Sequence, residues 1–533
     1  MMTSGNLFPL LLYVSFLCAG CFVSSSYARQ GDALRVFMKL KATGAVNTSD
    51  GILNSILPDF NPKLIPQDGS KDRDKILQLP GQPPNLNINQ YGGYITVNQT
   101  AGRALYYYFV EADSNKETKP VLLWFNGGPG CSSLGFGAFE ELGPFLIRKD
   151  GLIQNPYSWN KLGSILFLES PAGVGFSYSN TTSDYTSTGD QRTAQDAYTF
   201  LINWLERFPE YKNREFYITG ESYAGHYVPE LAYTILQQNN KGGTFINLKG
   251  ISIGNPGIHQ IDDVGLDSVG GSRAQFEFLW RHNLIPNDEW ETIQRTCDFN
   301  IPAPNRTEEC QIAIVLNYLR STENTDSYNI YNPMCYEDNT NLTSGPVLGT
   351  GDPCAHRNIV EYLNCPDVVE ALHAKITRFD EGFQTRHGII GQWDKWQGCR
   401  DVFLWEWLDS PISILPIIQH LLAHGTQVLV FSGDLDGVIP YTCTRDSIKR
   451  LQLVEHNKWH LWGNKEISGS LVVYEGNLTF ATVRGAGHEV PLYQPRRALE
   501  LLQSFIEGTR IPRAKINEDL SDLEINQTII DYD

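Results

Sequence analysis

The segment Glu215-Phe-Tyr-Ile-Thr-Gly-Glu-Ser-Tyr-Ala-Gly225 constrains the chain more than any other. Phe216 to Ile218 form a short apolar run of aromatic and β-branched side chains, which reads as a buried strand. Gly220 follows, and glycine reaches backbone angles that other residues cannot. Beyond it Val228, Leu231, Ala232, Ile235 and Leu236 recur at helical spacing on one face. A strand that turns sharply into a helix leaves Ser222 at the tip of the turn, its hydroxyl pushed outward. Taken alone, the segment is equally an ordinary strand-to-helix turn, so its partners must decide.

Apolar strands and amphipathic helices alternate on either side of it. Gln90 to Val97 and Ala104 to Val110 read as a hairpin. Val121 to Phe125 is a continuous apolar strand that stops at Asn126-Gly-Gly-Pro-Gly130, and Ile165 to Leu168 is another that ends at Glu169. Residues 189–207 carry Ala194, Ala197, Phe200, Leu201 and Leu205 at helical spacing. This alternation predicts an α/β fold with a mostly parallel sheet and helices on both faces. After Pro256 the rhythm stops. Residues 257–395 are polar, helix-like in places, and hold five of the eight cysteines beyond residue 28. They read as a region inserted over the sheet. The rhythm returns with strands Val428 to Phe431 and Phe480 to Val483, and a last helix begins at Pro495.

The expected organisation follows. Residues 1–28 are a signal peptide, with the apolar run Phe8 to Val23 and cleavage near Ala28. Residues 29–80 are polar without strong periodicity and form either a pro-segment or a loosely docked arm. Residues 81–256 and 396–510 are the two parts of the core, and 257–395 is the cap. Within the cap, 305–353 is a candidate excised linker, being poor in apolar residues. Residues 511–533 are an acidic tail.

The 533-residue chain carries a net charge of -18 and no basic stripe, which argues against nucleic acid as a partner. No later run reaches transmembrane length, so no membrane contact is expected once the signal is removed. No cysteine–histidine cluster has zinc spacing, and neither a metal nor a cofactor is expected. Eight cysteines remain after the signal, an even count that suggests disulfides in an oxidising compartment. Glycosylation sequons stand at Asn47, Asn98, Asn180, Asn305, Asn341, Asn477 and Asn526. The expected destination is extracellular or vacuolar.

A serine hydroxyl needs a base in contact, and the base needs an orienting carboxylate. In α/β-hydrolases these come in the order serine, acid, histidine, each just past a strand. Here strand 428–431 runs into Ser432-Gly-Asp-Leu-Asp436, and strand 480–483 runs into Arg484-Gly-Ala-Gly-His488. Ser222 is therefore the candidate nucleophile, His488 the base and Asp436 its orienter. Asp434 is the rival acid, but the turn at Gly433 favours the later residue. His226 lies one turn into the helix after Ser222 and is expected to pack.

Five segments together resemble the plant-type serine carboxypeptidase family. They are Trp124-Phe-Asn-Gly-Gly-Pro-Gly-Cys-Ser-Ser133, Glu169-Ser-Pro-Ala-Gly-Val-Gly-Phe-Ser-Tyr178, Gly220-Glu-Ser-Tyr-Ala-Gly225, Ser432-Gly-Asp-Leu-Asp436 and Gly485-Ala-Gly-His-Glu-Val-Pro491. The likeness spans roughly residues 75–510 and implies an α/β-hydrolase with a helical cap. It implies an oxyanion hole at the N–H groups of Gly128 and Tyr223, where negative charge develops on the reacting carbonyl. It implies a site for the free carboxylate of a peptide or protein C-terminus at Asn126, Gly127, Glu221 and Glu141. It also implies the pairs Cys131–Cys399, Cys297–Cys310 and Cys335–Cys354, leaving Cys365 and Cys443 paired with each other or free, or Cys365 in the place of Cys354.

Acids this close to a substrate carboxylate cannot all ionise cheaply, so at least one should stay protonated and donate. The resemblance thus implies peptidase activity strongest in acid, with KM rising towards neutral pH. Acyltransferases of the same family are the alternative. Relatives of that kind often carry Asp where this chain has Glu221. A non-catalytic protective or binding protein is the remaining reading, and a homodimer stays open.

Overall fold

The computed structural model describes residues 29–42 and 60–514, apart from 87, 150, 264–270, 302–304, 323–324, 336–353, 378–382, 386–387, 391–393, 401 and 465. The expected signal peptide and the sequons at Asn47, Asn341 and Asn526 lie outside the described residues.

Eleven strands form one sheet. In chain order they are β1 (Lys75–Ile76), β2 (Gln90–Asn98), β3 (Arg103–Val110), β4 (Val121–Phe125), β5 (Ser164–Leu168), β6 (Glu215–Glu221), β7 (Asn247–Gly254), β8 (Gln427–Gly433), β9 (Glu455–Trp462), β10 (Gly469–Tyr474) and β11 (Leu478–Val483). Their spatial order is β1-β2-β3-β5-β4-β6-β7-β8-β11-β10-β9. The central run from β5 to β11 is parallel. The flanking strands pair antiparallel. The sheet is mixed overall: its central run is parallel, as the strand–helix rhythm suggested, and its flanks are antiparallel. The reason is connection length: β2–β3 and β10–β11 are joined by tight turns, which permit only antiparallel pairing.

The central strands β4 and β5 are buried along their whole length, which explains their unbroken apolar sequences. Helices α2 (Asp190–Arg207) and α3 (Ala224–Asn240) pack on each other, and α3 also packs on β6 and β7. This α/β-hydrolase frame carries the inserted region on top.

Within that region α4 (Arg273–Arg281), α5 (Asn287–Thr296) and α6 (Glu308–Thr322) build a separate small core from Phe276, Phe278, Trp290, Ile293 and Ile314. The disulfide Cys297–Cys310 lies beside it. The 305–353 stretch therefore divides: α6 packs through Cys310 and Ile314, while 336–353 lies outside the described residues. Cys335 bonds Cys354 across that stretch. Cys131–Cys399 closes a span of 268 residues, worth about 5 kcal/mol in chain-entropy terms. Cys365 is free and exposed, and Cys443 is free and buried.

Two segments differ from the sequence reading. Residues 30–42 form a helix, α1 (Gln30–Ala42), with Ala33, Leu34, Phe37 and Met38 buried, so this part of 29–80 is firmly packed rather than loose. At the other end, Gly463 N–H donates to Pro512 O and Ala514 N–H to Leu461 O, so the tail begins as an addition to the β9 edge.

Candidate active site

The sheet order sets the C-terminal ends of β6, β7, β8 and β11 side by side. Ser222, Asn255, Asp436 and His488 follow those ends. Ser222 itself holds the left-handed backbone, with φ of 63°. Gly220 does not, contrary to the reason given for it from sequence. It is glycine because a Cβ there would lie 2.6 Å from Phe125 O and 2.8 Å from Ala224 Cβ. The strain is carried by the serine, a costly conformation for a side chain with Cβ and one that clusters at functional sites. Gly225 is similarly fixed by close approach, since a Cβ would meet Gly257 O at 2.5 Å.

Ser222 N–H donates to Gly254 O at 3.0 Å, which ties the turn to the end of β7. The next residue, Asn255, donates through Nδ2 to Asp436 Oδ2 at 2.6 Å and accepts from Gly433 N–H at 3.2 Å. Asp436 also accepts from the N–H groups of Val438 and Ile439, at 2.7 and 3.2 Å. His488 Nδ1 lies 2.9 Å from Asp436 Oδ2. A carboxylate only accepts, so Nδ1 carries the proton and Nε2 presents a lone pair. His488 Nε2 and Ser222 Oγ are buried and have no hydrogen-bond partner among the described residues. Catalytic hydrogen bonds of this kind commonly close only around substrate. Asp434 takes a different part: its Oδ1 accepts from Gly485 N–H at 2.6 Å and joins the two turns.

The loop after β4 passes the serine turn closely. A Cβ on Gly127 would stand 2.3 Å from Tyr223 N, so only glycine leaves that N–H open. Gly128 follows with φ of 110°. The Tyr223 side chain is anchored below, its hydroxyl donating to Asp190 at 2.8 Å and lying 2.6 Å from Ser410 Oγ. His226 stacks on the Tyr223 ring and bonds Asp190 through Nδ1 at 3.0 Å.

Asn126 Nδ2 donates to Glu141 and Glu221, at 3.1 Å each, and Trp124 Nε1 donates to Asn126 Oδ1 at 2.5 Å. Glu141, Glu221 and Glu489 bring carboxylate oxygens within 4.8 Å of one another. All three are buried, and burial raises their pKa: Glu141 to about 8, Glu489 to about 7, and Glu221 well above the usual carboxylate range. Repulsion between the acids adds to the rise at Glu141 and Glu221, while Arg29 and His488 oppose it at Glu489. Glu141 Oε2 and Glu221 Oε2 are buried with no hydrogen-bond partner among the described residues, which favours a proton held between neighbouring carboxyls over two adjacent charges. Three charges here would cost far more than one shared proton.

The sequence reading named Asn126, Gly127, Glu141 and Glu221 for this pocket. It missed Glu489, the neighbour of His488, and it missed Gln30 and Tyr328. Gln30 Nε2 donates to Glu221 and, at 3.3 Å, to Glu489. Tyr328 covers His488: its carbonyl accepts His488 N–H at 2.6 Å, and its ring meets the imidazole edge-on. The outward residues fare simply. Asn180, Asn305 and Asn477 are exposed and Asn98 is half-buried.

A family model described as serine carboxypeptidase matches residues 80–508. Serine carboxypeptidase-like 40 of Arabidopsis thaliana is 45% identical over 491 residues, covering 90% of this chain and 92% of that one. Serine carboxypeptidase 24 of the same plant is 44% identical over 465 residues, covering 83% of this chain and 94% of that one. A prohormone-processing carboxypeptidase from Saccharomyces cerevisiae shares the fold, with a TM-score of 0.66 at 23% identity over 83% of this chain and 97% of that one. The matched span holds every strand from β2 to β11 and each residue of the serine turn, so the chain belongs to the serine carboxypeptidase family.

Proposed function

We propose that the protein is a serine-type carboxypeptidase that removes C-terminal residues from peptides through an acyl-enzyme. Ser222 attacks the last peptide carbonyl while His488 Nε2 takes its proton. Asp436 holds the imidazole in the tautomer that can do so. The N–H groups of Gly128 and Tyr223 receive the charge that develops on the carbonyl oxygen. His488 then gives the proton to the leaving amine, and water repeats the sequence in reverse to free Ser222.

The observation that carries this reading is the acid pocket beside the serine. Asn126, the Gly127 N–H and a protonated Glu221–Glu141 pair are the donors that a terminal carboxylate requires. An internal peptide bond offers no charge for them. As pH rises past the raised carboxyl pKa values, the pocket ionises and repels the substrate, so activity is strongest in acid. Signal removal near Ala28 and passage to the vacuole or cell exterior accord with the disulfides. Among the described residues no helix is long and apolar enough to cross a membrane.

The test is release of the C-terminal amino acid from a blocked dipeptide at acid pH, with Ser222→Ala beside it. The reading expects release that falls by about 10^4-fold or more in the variant. Persistent release from Ser222→Ala, or none from a protein labelled at Ser222 by a fluorophosphonate, contradicts it.

A further inference from the structure

Ser222 and His488 are 0% exposed, although a peptidase must admit a peptide. Tyr328 lies over His488, and α1 lies against Gly127, Glu221 and Tyr223, the neighbours of Ser222. The first residue of α1, Gln30, is itself 0% exposed and lies in the acid pocket. Gln30 Oε1 accepts from Gly127 N–H at 3.1 Å and from Asn126 Nδ2 at 3.3 Å. Gln30 Nε2 donates to Glu221 and Glu489. A carboxamide has the planar shape of a carboxyl group, with one oxygen replaced by a donor. Its oxygen thus takes the two donors assigned above to the substrate carboxylate, and its nitrogen satisfies the acids without adding charge.

Residues on both sides of Gln30 are also held in place. Arg29 pairs with Asp326 at 2.7 Å and lies 3.8 Å from the centre of the Tyr328 ring. Gly31 N–H donates to Tyr328 Oη, and a Cβ on Gly31 would stand 2.8 Å from Val438 Cγ2. About two turns on from Gln30, Phe37 packs edge-on against Tyr223, the residue after the nucleophile, and against Trp407. At the far end the Lys41 ammonium is buried, donating to Ser410 Oγ at 2.8 Å and to Pro411 O. Gln30 occupies the donors of the acid pocket, so its carboxamide and a substrate carboxylate cannot hold that pocket together.

We propose that α1 is an internal competitor, with the Gln30 carboxamide held in the carboxylate subsite so that the chain is latent until α1 leaves. This rests on the reading of that pocket as the carboxylate subsite. Proteolytic removal of α1, or its displacement by a peptide terminus, exposes Ser222.

The test is the rate at which a fluorophosphonate labels Ser222 in the full chain, against Gln30→Ala and Phe37→Asp. The probe reads access to the serine and needs no peptide carboxylate. Both variants should label about tenfold faster or more, the factor expected when the covered form holds about nine-tenths of the molecules. Equal rates in all three proteins overturn the proposal. Hydrogen exchange on the unaltered chain gives a second reading: protected amides across 33–42 support it, and exchange at the rate of an unfolded segment overturns it. Fast labelling of Gln30→Ala without amino-acid release keeps the latch and removes the peptidase reading. Release by the unaltered chain at the rate of the variants does the reverse.

Discussion

Two buried acid clusters flank the serine turn, and they are neutralised differently. On one side Glu141, Glu221 and Glu489 face Asn126 and the Gln30 carboxamide, which are neutral donors. On the other side Asp190 is met by His226, Tyr223 and Trp407 Nε1, and the Lys41 ammonium is close to Asp190, Glu230 and Asp263. The second cluster holds the Lys41 cation and three fixed side-chain donors to Asp190, so it braces the floor under Tyr223, although burial also pushes Glu230 and Asp263 there towards the protonated form. The first manages its charge by keeping protons. Its donors, held here by Gln30, can be transferred to a ligand, and its acids answer to pH. On the function proposed above, the same residue types do structural work in one place and recognition in the other, and the partners decide which.

The largest effect should come from breaking the braced cluster. Asp190→Ala strips the acceptor from Tyr223, Trp407 and His226 and leaves Lys41 with less compensation. A loss of about 3–5 kcal/mol is expected, read by denaturant unfolding at fixed pH. A loss under about 1 kcal/mol would show that the two clusters do not differ in kind.

Glu221→Gln should act the other way. It keeps the shape and the donors and removes the titration, so folding stability should change by less than about 1 kcal/mol. KM for a blocked dipeptide should rise about tenfold at acid pH, where protonated Glu221 is the better partner, with kcat little changed. A comparable loss of kcat would move Glu221 from recognition into the chemical step.

Stability should fall as pH rises from about 5 to 8. The folded carboxyls at Glu141, Glu489 and Asp263 hold protons to about 8, 7 and 8, against 4.5 or 3.8 ordinarily. Groups raised in the folded state stabilise fully below the unfolded value, and that contribution is lost as pH passes the folded one. Lys41, lowered to about 8 by burial, has the opposite sign and acts only from there upward. Tm measured across this range should drop in the unaltered chain and drop less in Glu221→Gln. A rise in Tm would contradict the assignment of protons to these pockets. The smallest effect is expected from Glu489→Gln, with KM changed about two- to threefold. Glu489 borders the subsite but makes no contact with Asn126 or Gly127 in the bonds described above.

What was legible in the sequence was local. Ser222, Asp436 and His488 each follow a short apolar strand, so their strands announced them. Asp434 and Asp436 were separable because one lies in the turn and the other beyond it. What was not legible depends on distant contacts. Gln30 meets Glu221 across 191 residues and Glu489 across 459, and no spacing rule reaches so far. Asn255 holds Asp436 across 181 residues for the same reason. The helix α1 did leave a signal, since Ala33, Leu34, Phe37 and Met38 recur at helical spacing. The polarity of 29–80 as a whole concealed it. Gly220 shows a further limit: a glycine can be required by close packing as well as by its backbone freedom, and sequence does not separate the two.

The most direct test of the account is KM for a blocked dipeptide from pH 4 to 8, beside the same substrate with its terminal carboxylate amidated. The account predicts that KM for the free acid climbs steeply as pH approaches about 7–8, where Glu489 and Glu141 ionise, while KM for the amide stays nearly flat. A flat KM for the free acid, or the same rise for both substrates, would contradict recognition by protonated carboxyls.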